Sequence, residues 1–132
     1  MSGDPKDRTL VIEQGRTLEA WFRIRNTQTG EIVNPVSAGY TVAKLQVRDK
    51  FREDAGAVLL ELSTANGGIV LGNINDGTGT YWSGYQYATE TATRVLQHVG
   101  DPVYDLVMIH TGGRKETAFR GSVYVIPEVT EP

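Results

Sequence analysis

A chain of 132 residues holds one domain, large enough to bury about two thirds of the surface its unfolded form exposes, and leaves no room for a second. Its 13 Lys plus Arg against 16 Asp plus Glu give a formal charge of -3, so no overall counterion-release drive favours nucleic acid or an anionic membrane. Without a cysteine it can carry neither a disulfide framework nor a thiolate metal site nor a cysteine nucleophile.

The 15 glycines and 5 prolines favour many short elements over long helices. No apolar run approaches the roughly 20 residues that span a bilayer, and Met1 to Arg8 lacks an apolar signal core. The expectation is a protein neither anchored in a membrane nor exported by a standard signal.

Residues 1–8 combine four charges with a glycine and a proline and read as a flexible N-terminal arm. Residues 9–127 read as the single domain, and 128–132 as a C-terminal tail. A short strand runs from Leu10 to Glu13, and Gln14-Gly15 breaks it. Between Arg16 and Arg25 the alternation is clearest, with Leu18, Ala20, Phe22 and Ile24 on one face and Glu19, Trp21, Arg23 and Arg25 on the other. Asn26 to Gly30 is a turn by composition, and Glu31 to Val33 can pair back before Asn34-Pro35 stops it.

The next strand spans Thr41 to Arg48, with Thr41, Ala43, Leu45 and Val47 facing inward. Asp49 to Gly56 is a charged loop carrying only Phe51 as an apolar residue. Ala57 to Leu62 places Val58, Leu60 and Leu62 on one side, and Ile69 to Leu71 begins a short strand. Asn73 to Gly79 is a tight connection around Asp76-Gly77, leading into an aromatic strand from Thr80 to Tyr87.

One segment reads as helix, about three turns long. Ala88, Ala92, Val95 and Leu96 share a face, Thr89 serves as N-cap and Gly100 lies past the end. Two strands close the chain, Val103 to Ile109 and Glu116 to Ile126, joined through the Thr111 to Arg114 turn. Seven to nine strands with one late helix predict an all-β, antiparallel sandwich of two layers.

Reactive constellations are sparse. His98 and His110 lie in no metal-ligand spacing, no serine sits in a G-x-S-x-G elbow, and Asp105 points to the face opposite His110. The Asn73-x-Asn75-Asp76-Gly77 stretch has part of a calcium loop, but its fifth and twelfth positions would be Gly77 and Gly84, so a hairpin turn fits better. The glycine pairs lack the Lys-Ser/Thr of a phosphate cradle. Neither a catalytic residue, a metal nor a cofactor is therefore expected.

The segment Tyr81-Trp82-Ser83-Gly84-Tyr85-Gln86-Tyr87 packs four aromatics into seven residues. On a regular strand Tyr81, Tyr85 and Tyr87 share one face and Trp82 takes the other, so an exposed tyrosine set could meet a protein partner or stack on a glycan. Cross-strand packing that stabilises the sheet without any ligand is the plainer alternative. Arg23, Arg25, Lys44, Arg48, Lys50 and Arg52, interleaved with acids, read as a solvated face or the rim of a contact.

The phrases Ile12-Glu-Gln-Gly15, Tyr40-Thr-Val-Ala-Lys-Leu-Gln-Val-Arg48, Leu59-Leu-Glu-Leu-Ser-Thr-Ala-Asn-Gly-Gly-Ile69, Val103-Tyr-Asp-Leu-Val107 and Gly121-Ser-Val-Tyr-Val-Ile-Pro-Glu-Val-Thr130, with the helix between the third and fourth, resemble in content and order a family of small tailed-phage and prophage proteins. The likeness covers about Leu10 to Thr130 and is similar to the immunoglobulin-like module at the N-terminus of phage upper-baseplate proteins. It departs from the family pattern in the longer Asn26 to Gly39 connection and in the Asn73 to Thr80 turn with its aromatic strand.

The resemblance implies an immunoglobulin-like sandwich that is a non-catalytic virion part of the tail or baseplate. It would be assembled in the host cytoplasm and would join other virion proteins in a symmetric multimer, with no nucleic-acid or membrane partner. A capsid decoration protein, or a host-glycan-binding module using Tyr81, Tyr85 and Tyr87, are the alternatives.

Overall fold

The structure, a computed structural model, describes residues 6–26, 28–49, 58–96 and 102–128. Among them the period-two segments form nine strands: β1 (Lys6–Asp7), β2 (Leu10–Glu13), β3 (Leu18–Phe22), β4 (Tyr40–Asp49), β5 (Val58–Ser63), β6 (Ile69–Asn75), β7 (Tyr81–Ala88), β8 (Pro102–His110) and β9 (Lys115–Ile126). A single helix, α1 (Glu90–Arg94), lies between β7 and β8. One sheet runs β1-β9-β8-β4-β5, with β2 also on β9, and the second runs β3-β7-β6.

Neighbouring strands pair antiparallel except at one place, where β1 and β2 lie parallel to β9. The expected architecture is the one observed: an all-β sandwich of two layers with one short helix. Because β3 joins β7 while β4 joins β8, the chain passes repeatedly between sheets, which is the interleaved order of an immunoglobulin-like sandwich.

The core fills from both inner faces. Leu18, Phe22, Ile69 and Ala88 of the smaller sheet meet Ala43, Leu45, Val47, Leu60, Leu62, Leu106, Met108 and Val123 of the larger, all buried. Phe22 and Phe119 join the layers directly, edge to face with ring centroids 5.7 Å apart.

Several expectations shift where the ladder slips. The register changes between Tyr40 and Val42, so Tyr40 is buried beside Ala43 while Thr41, expected inside, is exposed. A second slip, between Val47 and Arg48, leaves Val58 exposed although Leu60 and Leu62 are buried. Residues 73–75 belong to β6 rather than to the turn that follows it.

The helix is five residues long, shorter than its apolar spacing suggests, because Ala88 still belongs to β7. Thr89 is its N-cap, accepting from the Ala92 N–H at 3.2 Å. Leu96 is buried, but Val95 stands 68% exposed and leaves the predicted apolar face.

At the N-terminal arm, Lys6 and Asp7 pair with Phe119 and Arg120, and the Arg8 N–H donates to the Arg120 carbonyl at 2.8 Å. Residues 1–5 lie outside the described part, as do the loop with Phe51, His98, Gly100 and residues 129–132.

Candidate functional site: an aromatic outer sheet face

The side of the β3-β7-β6 sheet that faces away from the core carries both tryptophans of the chain. On β3 the pattern of the sequence holds: Leu18 and Phe22 point in, so Glu19 and Trp21 stand on the outside. Trp21 is paired across the ladder with Tyr85 of β7, and their ring centroids are 4.4 Å apart.

On β7 the alternation breaks at Ser83 and Gly84, which are both buried. Ser83 is held inside because its hydroxyl donates to the Val33 carbonyl at 2.7 Å and accepts from the Ile24 N–H at 2.9 Å. In consequence Trp82 and Tyr85 lie on the same side, and Trp82 sits 6.4 Å from Trp21. A regular strand would have put Trp82 on the opposite face.

The expected tyrosines are thus divided by the structure. Tyr81 and Tyr87 are 47% and 38% exposed, whereas Tyr85 is half-buried against Trp21. Burial, then the hydrogen bond and charge of Glu19, push the Tyr85 phenol above its ordinary pKa. Val70, opposite Tyr85 on β6, extends the surface with an exposed apolar side chain.

Polar groups frame Trp82. The Arg23 guanidinium lies 4.1 Å from the centre of its ring while Nε donates to the Tyr81 carbonyl at 3.2 Å. The indole nitrogen donates to Oδ2 of Asp76 at 2.9 Å.

The Asn75 to Thr80 turn uses its oxygens internally. Asn75 Oδ1 accepts from the Gly77 N–H, and Asp76 Oδ1 accepts from the N–H and hydroxyl of Thr78. These bonds, with that of Trp82, hold the Asp76 carboxyl down at about 2. The segment that carried the partial calcium pattern is therefore a self-capped hairpin turn.

The sequence points to Tyr81, Tyr85 and Tyr87 as contacts; it places Trp82 on the opposite face, Asp76 in a turn, Arg23 in a solvated or rim cluster and Trp21 only on the polar face of its strand, and it does not bring these four together. A tryptophan on the charged face of the clearest amphipathic strand was the available signal. The register that brings β3 against β7 was not.

A second exposed apolar cluster occupies the outside of the larger sheet. Val11 and Tyr124, 51% and 61% exposed, are direct neighbours across the β2-β9 pair, and exposed Ile126 follows.

Between β1, β8 and β4 runs an open groove of about 860 Å³, whose lining includes Arg8, Arg48, Tyr104, Asp105 and Arg120. Its polar groups engage one another: Arg120 meets Asp7 at 3.4 Å, Arg48 donates to Gln46, and the Tyr104 hydroxyl donates to the Arg8 carbonyl at 2.7 Å. His110 lies away from both aromatic surfaces and packs edge-on against Tyr40, its Nδ1 accepting from the Gly112 N–H.

No family model matches the chain, and no curated protein matches it in sequence. Among solved structures it is similar to Drosophila OTK, extracellular domains 3-5, at 11% identity and a TM-score of 0.39, over 96% of this chain and 35% of that one. The chain thus spans about a third of the length of that structure, and the likeness is one of fold alone.

Proposed function

We propose that this chain is a non-catalytic structural protein of a tailed-phage particle, placed in the tail or baseplate, where it joins neighbouring virion proteins. The observation that supports it is the pair of outer faces that carry exposed apolar side chains on different sheets, Val70 and Tyr87 beside the half-buried Trp21-Trp82-Tyr85 cluster on one and Val11-Tyr124 on the other. A connector needs two adhesive surfaces held at a fixed separation, and a sandwich with a packed core supplies that rigidity. The resemblance of the sequence phrases, in content and order, to small phage proteins is what directs this reading to a phage particle.

The test is made on particles from the producing strain. The chain should be found in purified particles by mass spectrometry and located by labelling on the tail. Val70→Ser and Tyr124→Ser variants, both at exposed positions, should melt within about 1 kcal/mol of the parent, as surface changes do, yet enter particles poorly. Particles that lack the chain would end the proposal, and label on the head would turn it toward capsid decoration.

A second reading, a glycan-binding module, draws on the exposed ring of Tyr87 on the face of the Trp21-Tyr85 pair and on the exposed ring of Tyr81 on the same strand. Titration with host polysaccharide while following tryptophan fluorescence separates the two: a saturable change lost in Tyr87→Ala favours the glycan, and a flat response removes it.

A further inference from the structure

The smaller sheet ends at β3, which pairs with β7 on one side and, among the described residues, with no strand on the other. Such an edge is normally blunted by proline, lysine, a bulge or an inward charge. Leu18-Glu-Ala-Trp-Phe22 contains no proline or lysine, its ladder to β7 runs without a register shift, and its inward residues are apolar.

Three hydrogen bonds fix which peptide groups face the open side. The Arg16 carbonyl accepts from Thr93, just beyond β7, and the Ile24 N–H donates to Ser83 of β7. On β7 itself, the Tyr87 N–H turns away from β3 to the Gly68 carbonyl, so its partner Glu19 is not bonded to it. Even-numbered groups of β3 therefore point to β7, and by alternation those of Glu19, Trp21 and Arg23 point outward.

The residues around Trp21 are complementary to their own reversal. When the segment Leu18-Glu-Ala-Trp-Phe-Arg-Ile24 is laid antiparallel on a copy of itself with Trp21 at the centre, Glu19 falls opposite Arg23, Ala20 opposite Phe22 and Leu18 opposite Ile24. Opposite charges fall opposite each other on the outer face twice, Arg23 turning from Trp82 and the Tyr81 carbonyl and Glu19 from Tyr85 to meet across the seam; small meets large on the inner face, and the outward peptide groups of 19, 21 and 23 meet their counterparts. Slipping by one residue would set Glu19 against Phe22 or Ile24 and lose both charge pairs.

We propose that two copies of this chain pair edge to edge through β3, antiparallel and in register at Trp21, so that their three-stranded sheets become one six-stranded sheet. The two aromatic outer faces then form one continuous strip across the two-fold axis. This pairing does not rest on the virion role. Particles without the chain would leave the dimer standing, and a monomeric chain would leave the two adhesive faces in place.

The absence of native cysteine gives a direct test. In the proposed register the two position-21 Cα atoms are about 5.5 Å apart, inside the roughly 4.4 to 6.8 Å range of a disulfide. Those of position 17 are about 27 Å apart. Under mild oxidation Trp21→Cys should form a covalent dimer and Thr17→Cys should not.

Because the cysteine removes a ring, the otherwise native chain is tested in parallel by sedimentation. Glu19→Arg and Arg23→Glu should each weaken the dimer about tenfold or more, through like charges set opposite each other, and the double variant should recover it. Equal cross-linking at both positions, none at either, or a double variant no better than the singles would overturn the proposal.

Discussion

The indole nitrogen of Trp82 and the carboxylate of Asp76 are 2.9 Å apart, and this bond ties the tip of the β6-β7 hairpin to the aromatic face of the sheet. The same carboxylate accepts from Thr78, so three donors favour its ionised form and hold it at about 2 rather than the usual 3.8. A depressed carboxyl stabilises the fold fully above its unfolded value and loses that contribution as pH falls through the folded value. Near about pH 3, where an unfolded-chain aspartate is mostly protonated, the Trp82 indole N–H should give the same NMR position as at neutral pH. A signal that moves with a midpoint near 3.8 would mean that the carboxylate is released in solution, and Asp76→Asn should abolish any titration.

Phe22 is the ring that joins the two layers. It is buried, packs edge-on to Phe119 across the sandwich, and is flanked by Leu18 and Ile24 on its own segment. Replacing it with alanine removes apolar surface and leaves a void that two hydrogen-bonded sheets cannot fully close, at a cost of about 3 to 5 kcal/mol. Denaturant melting checks this, with an unchanged slope expected if only the native state is affected. A loss under about 1 kcal/mol would show that the inner faces are not packed as described.

How far such features could be read in advance depends on whether they are local. The strand β3 was legible in its faces because apolar positions at spacing two need only one chain to state them, although the alternation runs from Arg16 to Arg25 and the paired strand only over Leu18–Phe22. Thr89 was legible as a cap because its hydroxyl serves a donor three residues away. Slips of register were not: Thr41 and Val58 carry the right residue types for inward positions, and only the partner strand decides that each is turned out. The candidate site fell between these cases. Tyr81, Tyr85 and Tyr87 were visible as a cluster, but the reversal that puts Trp82 beside Trp21 comes from Ser83, whose hydroxyl binds peptide groups 50 and 59 residues away.

Gly84 provides a sharper test of that reversal. It faces Phe22 across the β3-β7 ladder, and a Cβ added there would stand 2.1 Å from Cζ of the ring. The ring is held between sheets and cannot withdraw, so Gly84→Ala should destabilise by about 1 to 3 kcal/mol. Combining it with Phe22→Leu, which shortens the opposing side chain, should cost less than the sum of the two single changes. Strict additivity in a double-mutant cycle would place the two residues out of contact.

Thr93 tests the link between the helix and the rest of the sheet. Its side chain is completely buried, and its single hydroxyl proton is directed to the Arg16 carbonyl at 2.7 Å and shared with that of Glu90 at 3.1 Å, anchoring α1 over the start of β3. Gln14 reinforces the same junction by donating to the Leu96 carbonyl at 2.6 Å. Valine at position 93 keeps the shape but removes the donor, which leaves the Arg16 carbonyl without that partner at a cost of about 1 to 3 kcal/mol. Because the loss is local, amide exchange should accelerate first in Thr93 and Leu96, whose N–H groups bond within the helical segment, while β4 and β8 stay protected to the global limit. Serine, which restores the hydroxyl, should recover most of the stability; recovery by valine alone would assign the position to packing rather than to the hydrogen bond.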